Sequence, residues 1–186
     1  MDRSPATATV SCPGATAVLT RRQALILSGA TVATLVLPRL GPTPVEARVR
    51  AYPRKRIAQI SHLFINQPLE FFYPYEHPHM RNFLFKLGTP AGGGAGRLKD
   101  IVAFNSLCTH QGGPLAERYN ARHKVFGPCP FHLTTFDLTR HGMVVSGQAT
   151  QGLPQILLEI EGNDIYAVGV LGLVYGFGHN LTRPGA

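Results

Sequence analysis

Two thiols and two imidazoles stand close together in the middle of this chain. Cys108 and His110 have one residue between them, Cys129 and His132 have two, and eighteen residues separate the pairs. Each half therefore supplies one sulfur and one nitrogen donor. An asymmetric two-iron, two-sulfur centre needs that set: two cysteines hold one iron and two histidines hold the other. Neutral imidazoles in place of two anionic thiolates leave such a centre less negative. An electron is then added more easily, at roughly −150 to +300 mV. Two blander accounts compete. Zinc sites also use Cys and His, but a finger normally pairs Cys with Cys and His with His, at wider spacing. The other account is chance proximity of two buried thiols and two loop histidines. The order Cys-His-Cys-His with a single-residue first gap favours iron and sulfur.

More of the sequence follows the same pattern. Gly112, Gly113, Pro114 and Leu115 come after the first pair, and Pro130 and Phe131 lie inside the second. Thr134, Phe136 and Asp137 come next, then Gly142, Gly147-Gln148-Ala149 and Leu153-Pro154. Over about residues 100–170 the chain resembles the Rieske iron–sulfur proteins. The resemblance implies one [2Fe–2S] cluster held by Cys108, Cys129, His110 and His132. It also implies a third, Pro-bearing loop ending at Pro154, and it places Gly112, Gly113, Pro130, Phe131, Thr134, Phe136 and Pro154 around the cluster. Gly and Pro let the ligand loops pack close and aim N–H groups at the sulfurs, which raises the potential. Each imidazole is expected to bind through one nitrogen and leave the other near solvent, where a redox partner can reach it.

This chain departs from the quinol-oxidising Rieske branch in a telling way. That branch has Cys at the positions of Gly113 and Phe131, joined as a disulfide between the loops; neither Cys is present here. It also has Ser at the position of Thr134 and Tyr at that of Phe136. Thr134 keeps a hydroxyl, whereas Phe136 has nothing to donate. A lost hydrogen bond to a charged group is worth about 1.5–3 kcal/mol, on the order of 65–130 mV for one electron. The expected potential lies below that of the quinol-oxidising members.

The elements that must position these loops read as strands. Stretches 57–63, 69–73 and 81–87 are rich in β-branched and aromatic residues. In the third, Phe83, Phe85 and Leu87 alternate with Asn82, Leu84 and Lys86, which predicts one apolar face. Residues 101–107 form a compact apolar strand that delivers Cys108. Further strands are expected at 124–126, 134–138 and 155–161. Gly162-Asn163 then supplies a hairpin turn into 165–170, and 174–177 reads as a last edge strand. His77 and His79 could bind a metal, but their Pro-rich setting reads as a surface loop. The Gly-rich 91–96 lacks the Lys-Ser or Lys-Thr of a phosphate loop. No helical period is sustained after residue 47. The fold class is all-β: antiparallel sheets in a Rieske-type sandwich or barrel, with a small cluster-binding subdomain at about 100–155.

Residues 1–47 read as a leader. Residues 1–19 have the small, polar composition of a disordered segment. Arg21-Arg22 then precede a 14-residue apolar run, residues 24–37, too short for the ~20 residues that span a bilayer. Twin arginines before such a run resemble a Tat export signal, and Val45-Glu46-Ala47 offers a cleavage site. The expectation is a periplasmic domain, residues 48–186, with no lasting membrane contact; an uncleaved anchor is the alternative. Of 18 basic and 10 acidic residues, four and two lie in the leader, so 14 and eight remain, net +6. No basic run is interleaved with aromatics, so nucleic acid is not expected as a partner. Only Cys108 and Cys129 follow the leader, which leaves no thiol for a structural disulfide. Residues 48–56 read as a basic, solvated arm.

No nucleophile–base pair is present that could transform a substrate, so the chain is expected to carry electrons one at a time. The leader, the single domain and the tail Leu173-Val174-Tyr175-Gly176-Phe177-Gly178-His179-Asn180 look most like the small subunit of arsenite oxidase. That resemblance implies a molybdopterin-containing large subunit as partner and a soluble cytochrome c or copper protein as acceptor. The alternatives are a Rieske subunit of a quinol-oxidising cytochrome complex and a zinc-stabilised binding module.

Overall fold

The computed structural model describes residues 51–181; the leader lies outside them. Ten strands run β1 (Lys55–Gln59), β2 (Leu69–Phe72), β3 (Arg81–Lys86), β4 (Ile101–Asn105), β5 (Tyr119–Asn120), β6 (Val125–Phe126), β7 (Thr135–Asp137), β8 (Met143–Ser146), β9 (Gln155–Glu161) and β10 (Asp164–Leu171). Their ladders are all antiparallel. Six strands form a base sheet in the order β1-β10-β9-β4-β3-β2, and four form a smaller sheet in the order β5-β6-β7-β8. The base sheet curls until its edges nearly meet. Across the gap Lys55 Nζ donates to the Phe72 carbonyl at 2.9 Å, and the Tyr73 hydroxyl donates to the Pro53 carbonyl at 2.8 Å. The result is an almost closed barrel.

The small sheet is an excursion between β4 and β9, which themselves pair at Ala103–Ile156 and Phe104–Gln155. The loops that carry Cys108, His110, Cys129 and His132 thus leave and re-enter a framework whose ladder is closed beneath them. The strands under the excursion bury both faces. Leu84, Ile101 and Ala103 point into the barrel core with Ile156, Ile165 and Ala167. Phe83, Phe85, Val102 and Phe104 point the other way, into a second core with Phe126, Phe136, Cys108 and Cys129. The single apolar face expected for 81–87 is therefore a two-faced strand. Leu84 and Asn82 are also buried, because the excursion folds back over one side of the sheet while the barrel closes on the other. Phe126 clamps the two parts together, with ring centroids 5.9 Å from Phe83 and 5.3 Å from Phe85. Burying each such ring contributes about 1.5–3 kcal/mol.

The hairpin at Gly162-Asn163 pairs Glu161 with Asp164, and Gly162 takes φ +59°, as the first central position of a type II′ turn requires. Other expectations shift. Residues 60–62 end the first strand as a 3₁₀ turn. Residues 174–177 form no strand; Val174 N–H is satisfied instead by the Asn180 side chain at 2.9 Å. Strands β5 and β8 are additional, short and mostly exposed, so they carry little apolar alternation. The basic segment at 54–56 is not a free arm. Arg54 reaches Glu159 at 3.3 Å and Glu161 at 2.6 Å and lies 3.5 Å over the Tyr166 ring, and Lys55 opens β1.

Candidate metal centre

The first ligand loop leaves β4 through a buried asparagine. Asn105 Oδ1 accepts the Leu107 N–H at 3.0 Å, and its Nδ2 donates to the carbonyls of His79 (2.9 Å) and Arg81 (3.1 Å) and to Asn82 Oδ1 (3.1 Å). The loop then closes on itself. Cys108 N–H donates to the Gly113 carbonyl at 2.9 Å, and Gly112 N–H donates to the Cys108 carbonyl at 2.8 Å. Gly112 sits at φ +67°, a backbone state that L side chains rarely adopt. The second loop is built alike: Leu133 N–H donates to the Cys129 carbonyl at 3.0 Å, and Cys129 N–H to the Thr134 carbonyl at 2.8 Å.

These closures bring the four candidate donors together as two like pairs. Cys108 and Cys129 are both buried, and their side chains are near enough to influence each other. The His110 and His132 rings lie 4.7 Å apart, His110 half-buried and His132 exposed. The sulfurs thus face the interior and the imidazoles face outward. Among the described residues no three His, Cys, Asp or Glu side chains converge on one point. Burial pushes the Cys108 thiol up, while the His110 backbone N–H and the Thr134 hydroxyl, both directed at its sulfur, oppose that rise. His110 Nδ1 is buried with no hydrogen-bond partner. An orphaned imidazole nitrogen beside a buried thiol pair fits a centre of two irons, since metal coordination would satisfy every one of these atoms.

The surrounding residues have distinct placements. Thr134 is fully buried, and its hydroxyl oxygen accepts the N–H groups of Gln148 (3.1 Å) and Ala149 (3.3 Å), tying the second loop to the third. Phe136 is fully buried in the core that contains both cysteines. Gly113 is buried against the second loop: a Cβ there would come within 2.5 Å of Cys129 Sγ and 3.1 Å of the Phe131 ring. Pro130 is exposed, as are Phe131 (55%) and Leu133 (66%) beside His132. Pro154 is buried, and its carbonyl accepts the Asn105 N–H at 2.9 Å. From the same third loop it is the Gln151 carbonyl that reaches the ligand loop, accepting the Thr109 hydroxyl at 2.8 Å.

The sequence signature of the Rieske [2Fe–2S] domain matches residues 94–157, which include all four donors. The chain is 57% identical over 166 residues to iodate reductase subunit IdrB of Pseudomonas sp. (strain SCT), covering 88% of this chain and 85% of the relative. This chain belongs to the Rieske iron–sulfur family. The chain is also similar to the IdrB subunit of Denitromonas iodatirespirans, 53% identical over 167 residues, 90% of this chain and 89% of that one. Among solved structures, the soluble domain of Rieske protein II (soxF) from Sulfolobus acidocaldarius superposes with a TM-score of 0.59 at 25% identity, covering 72% of this chain and 85% of that one. The cofactor of this Rieske protein is one [2Fe–2S] cluster, which supplies uptake and release of a single electron. The zinc reading falls with that finding.

Sequence reasoning missed two contributors to the Rieske site. Asn82 and Asn105 stand in otherwise apolar strands, and a polar residue in such a run is itself a signal of a buried network.

Proposed function

We propose that this chain is the electron-transfer subunit of a two-component oxidoreductase of the iodate reductase type, working with a molybdopterin-containing catalytic subunit. Cys108 and Cys129 hold one iron and His110 and His132 the other. The observation that carries the reading is likeness to proteins named iodate reductase subunits over 88–90% of the chain, well beyond the cluster-binding part. The site supports a relay. His132 is exposed, its neighbours Phe131 and Leu133 are apolar and exposed, and segments 107–115, 127–136 and 171–181 contain no Asp, Glu, Lys or Arg. A partner can dock on that face without desolvating charge, which is costly.

The arsenite oxidase reading keeps the same architecture and reverses the current. In an iodate reductase, electrons pass from a soluble cytochrome c or copper protein through this chain to the catalytic subunit; in an arsenite oxidase they pass outward. The two are separated by purifying the chain with its partner subunit. Iodate should reoxidise the reduced chain, and arsenite should not reduce the oxidised one. Arsenite-dependent reduction without iodate-dependent oxidation would reverse the assignment. A quinol-oxidising role is disfavoured by Gly113 and Phe131, which leave no inter-loop disulfide. We further propose that residues 1–47, outside the described residues, direct Tat export to the periplasm and are removed. N-terminal sequencing of the exported protein tests this; a start near residue 48 supports it and an intact leader refutes it.

A further inference from the structure

We infer that Tyr175 is a positioning residue for the metal centre: its ring lies on Gly112 and holds the loop bearing Cys108 and His110 from outside. A Cβ built on Gly112 would sit 2.5 Å from Tyr175 Cδ1 and 2.7 Å from Cε1, so the ring occupies the space that any side chain at 112 would need. Gly112 is also the residue whose N–H closes the loop onto the Cys108 carbonyl at 2.8 Å. The loop is thus gripped from two places. Thr109 is tied to the Gln151 carbonyl at 2.8 Å, and Tyr175 presses on the far end of the turn.

The segment that presents Tyr175 is anchored without it. Val174 is buried with Tyr75 and Met80. Asn180 accepts the Val174 N–H (2.9 Å) and donates to the Gly172 carbonyl (2.8 Å) and the Tyr52 hydroxyl (3.1 Å). Phe177 stacks edge-on with His77 and His79, centroids 5.5 and 5.6 Å away. A strap fastened on both sides of residue 175 delivers one aromatic ring to one ligand loop. Leu173 in the same strap is 43% exposed and serves as the comparison position. Tyr175 keeps 39% of its surface, so burial in a core does not account for its placement.

The inference rests on the cluster ligands proposed above, and holds whichever catalytic subunit the chain serves. The test uses the full chain loaded with its cluster, as wild type, Tyr175→Ala, Tyr175→Phe and Leu173→Ala. Amide exchange in residues 108–113 and bleaching of the cluster absorbance under chelator are each expected to speed up about tenfold in Tyr175→Ala. The reduced-state paramagnetic spectrum should broaden as the loop samples more geometries. Tyr175→Phe should restore all three readouts, since ring carbons and not the hydroxyl lie against Gly112, and Leu173→Ala should match wild type. The inference is overturned if Tyr175→Ala behaves as wild type, if Leu173→Ala does the same damage, or if exchange in 174–180 rises equally, which would mean that the strap had unfolded. Wild type that binds no iron would instead sink the ligand assignment itself.

Discussion

Asn82 and Asn105 face each other across β3 and β4, fully buried, with Asn105 Nδ2 donating to Asn82 Oδ1 at 3.1 Å. The pair links three parts of the chain. Asn82 Nδ2 also donates to the carbonyls of Tyr73 (3.1 Å) and Met80 (2.8 Å), while Asn105 sets the start of the first ligand loop through Leu107. Asn105→Leu would orphan the Leu107 N–H and several carbonyls together. We expect a loss of about 3 kcal/mol, read by denaturant unfolding, together with lower cluster occupancy. Unchanged stability would show that these groups find other partners.

Thr134 joins the second loop, the third loop and the Cys108 sulfur through one hydroxyl. Thr134→Val keeps the shape and removes every bond. The potential should fall by on the order of 65–130 mV, the one-electron equivalent of a lost charge-assisted bond, and Thr134→Ser should recover most of it. Voltammetry of the two variants decides this.

Phe136 sits in the same core as both cysteines. A hydroxyl introduced there by Phe136→Tyr is expected to donate toward the cluster sulfurs and raise the potential, again by on the order of 65–130 mV. A potential that stays level or drops would remove the explanation offered for a low-lying Rieske centre.

Alkaline pH should weaken the barrel. Burial pushes the Tyr73 phenol well up, the charge of Tyr52 adds to it, and burial also pushes Tyr119 up. Their neutral forms are favoured by folding. That stability is therefore complete below the unfolded tyrosine value of about 10 and is lost as pH climbs above it toward the folded values. Tyr73→Phe should flatten the fall above about pH 10 and cost about 1 kcal/mol at neutral pH through the lost bond to the Pro53 carbonyl. Urea titrations across the pH range check both signs.

Losing the metal should not unfold everything. The thiols belong to the core under the excursion, while the barrel has a separate core around Leu84, Ala103 and Ile165. Cys129→Ser is expected to abolish iron binding and loosen residues 106–154 first, because metal binding is coupled to folding of its own site. Hydrogen exchange should show β1, β9 and β10 still protected. Uniform loss of protection would mean that the two cores unfold as one.

The candidate donor set was legible in sequence because ligand chemistry depends on residue type and close spacing, and Cys108, His110, Cys129 and His132 lie within 25 residues. The β architecture was legible because alternation is a local property, as in β9 and its hairpin through Gly162. Tertiary structure alone decided the rest. Whether Leu84 and Phe85 both find cores depends on the small sheet, residues 119–146, folding over β3. Whether 174–177 pairs as a strand or fastens as a strap depends on Asn180 and Tyr52, at opposite ends of the described chain. Tyr175 touches Gly112 across 63 residues, and no periodicity encodes such a contact, because packing in three dimensions selects partners by shape and not by separation along the chain.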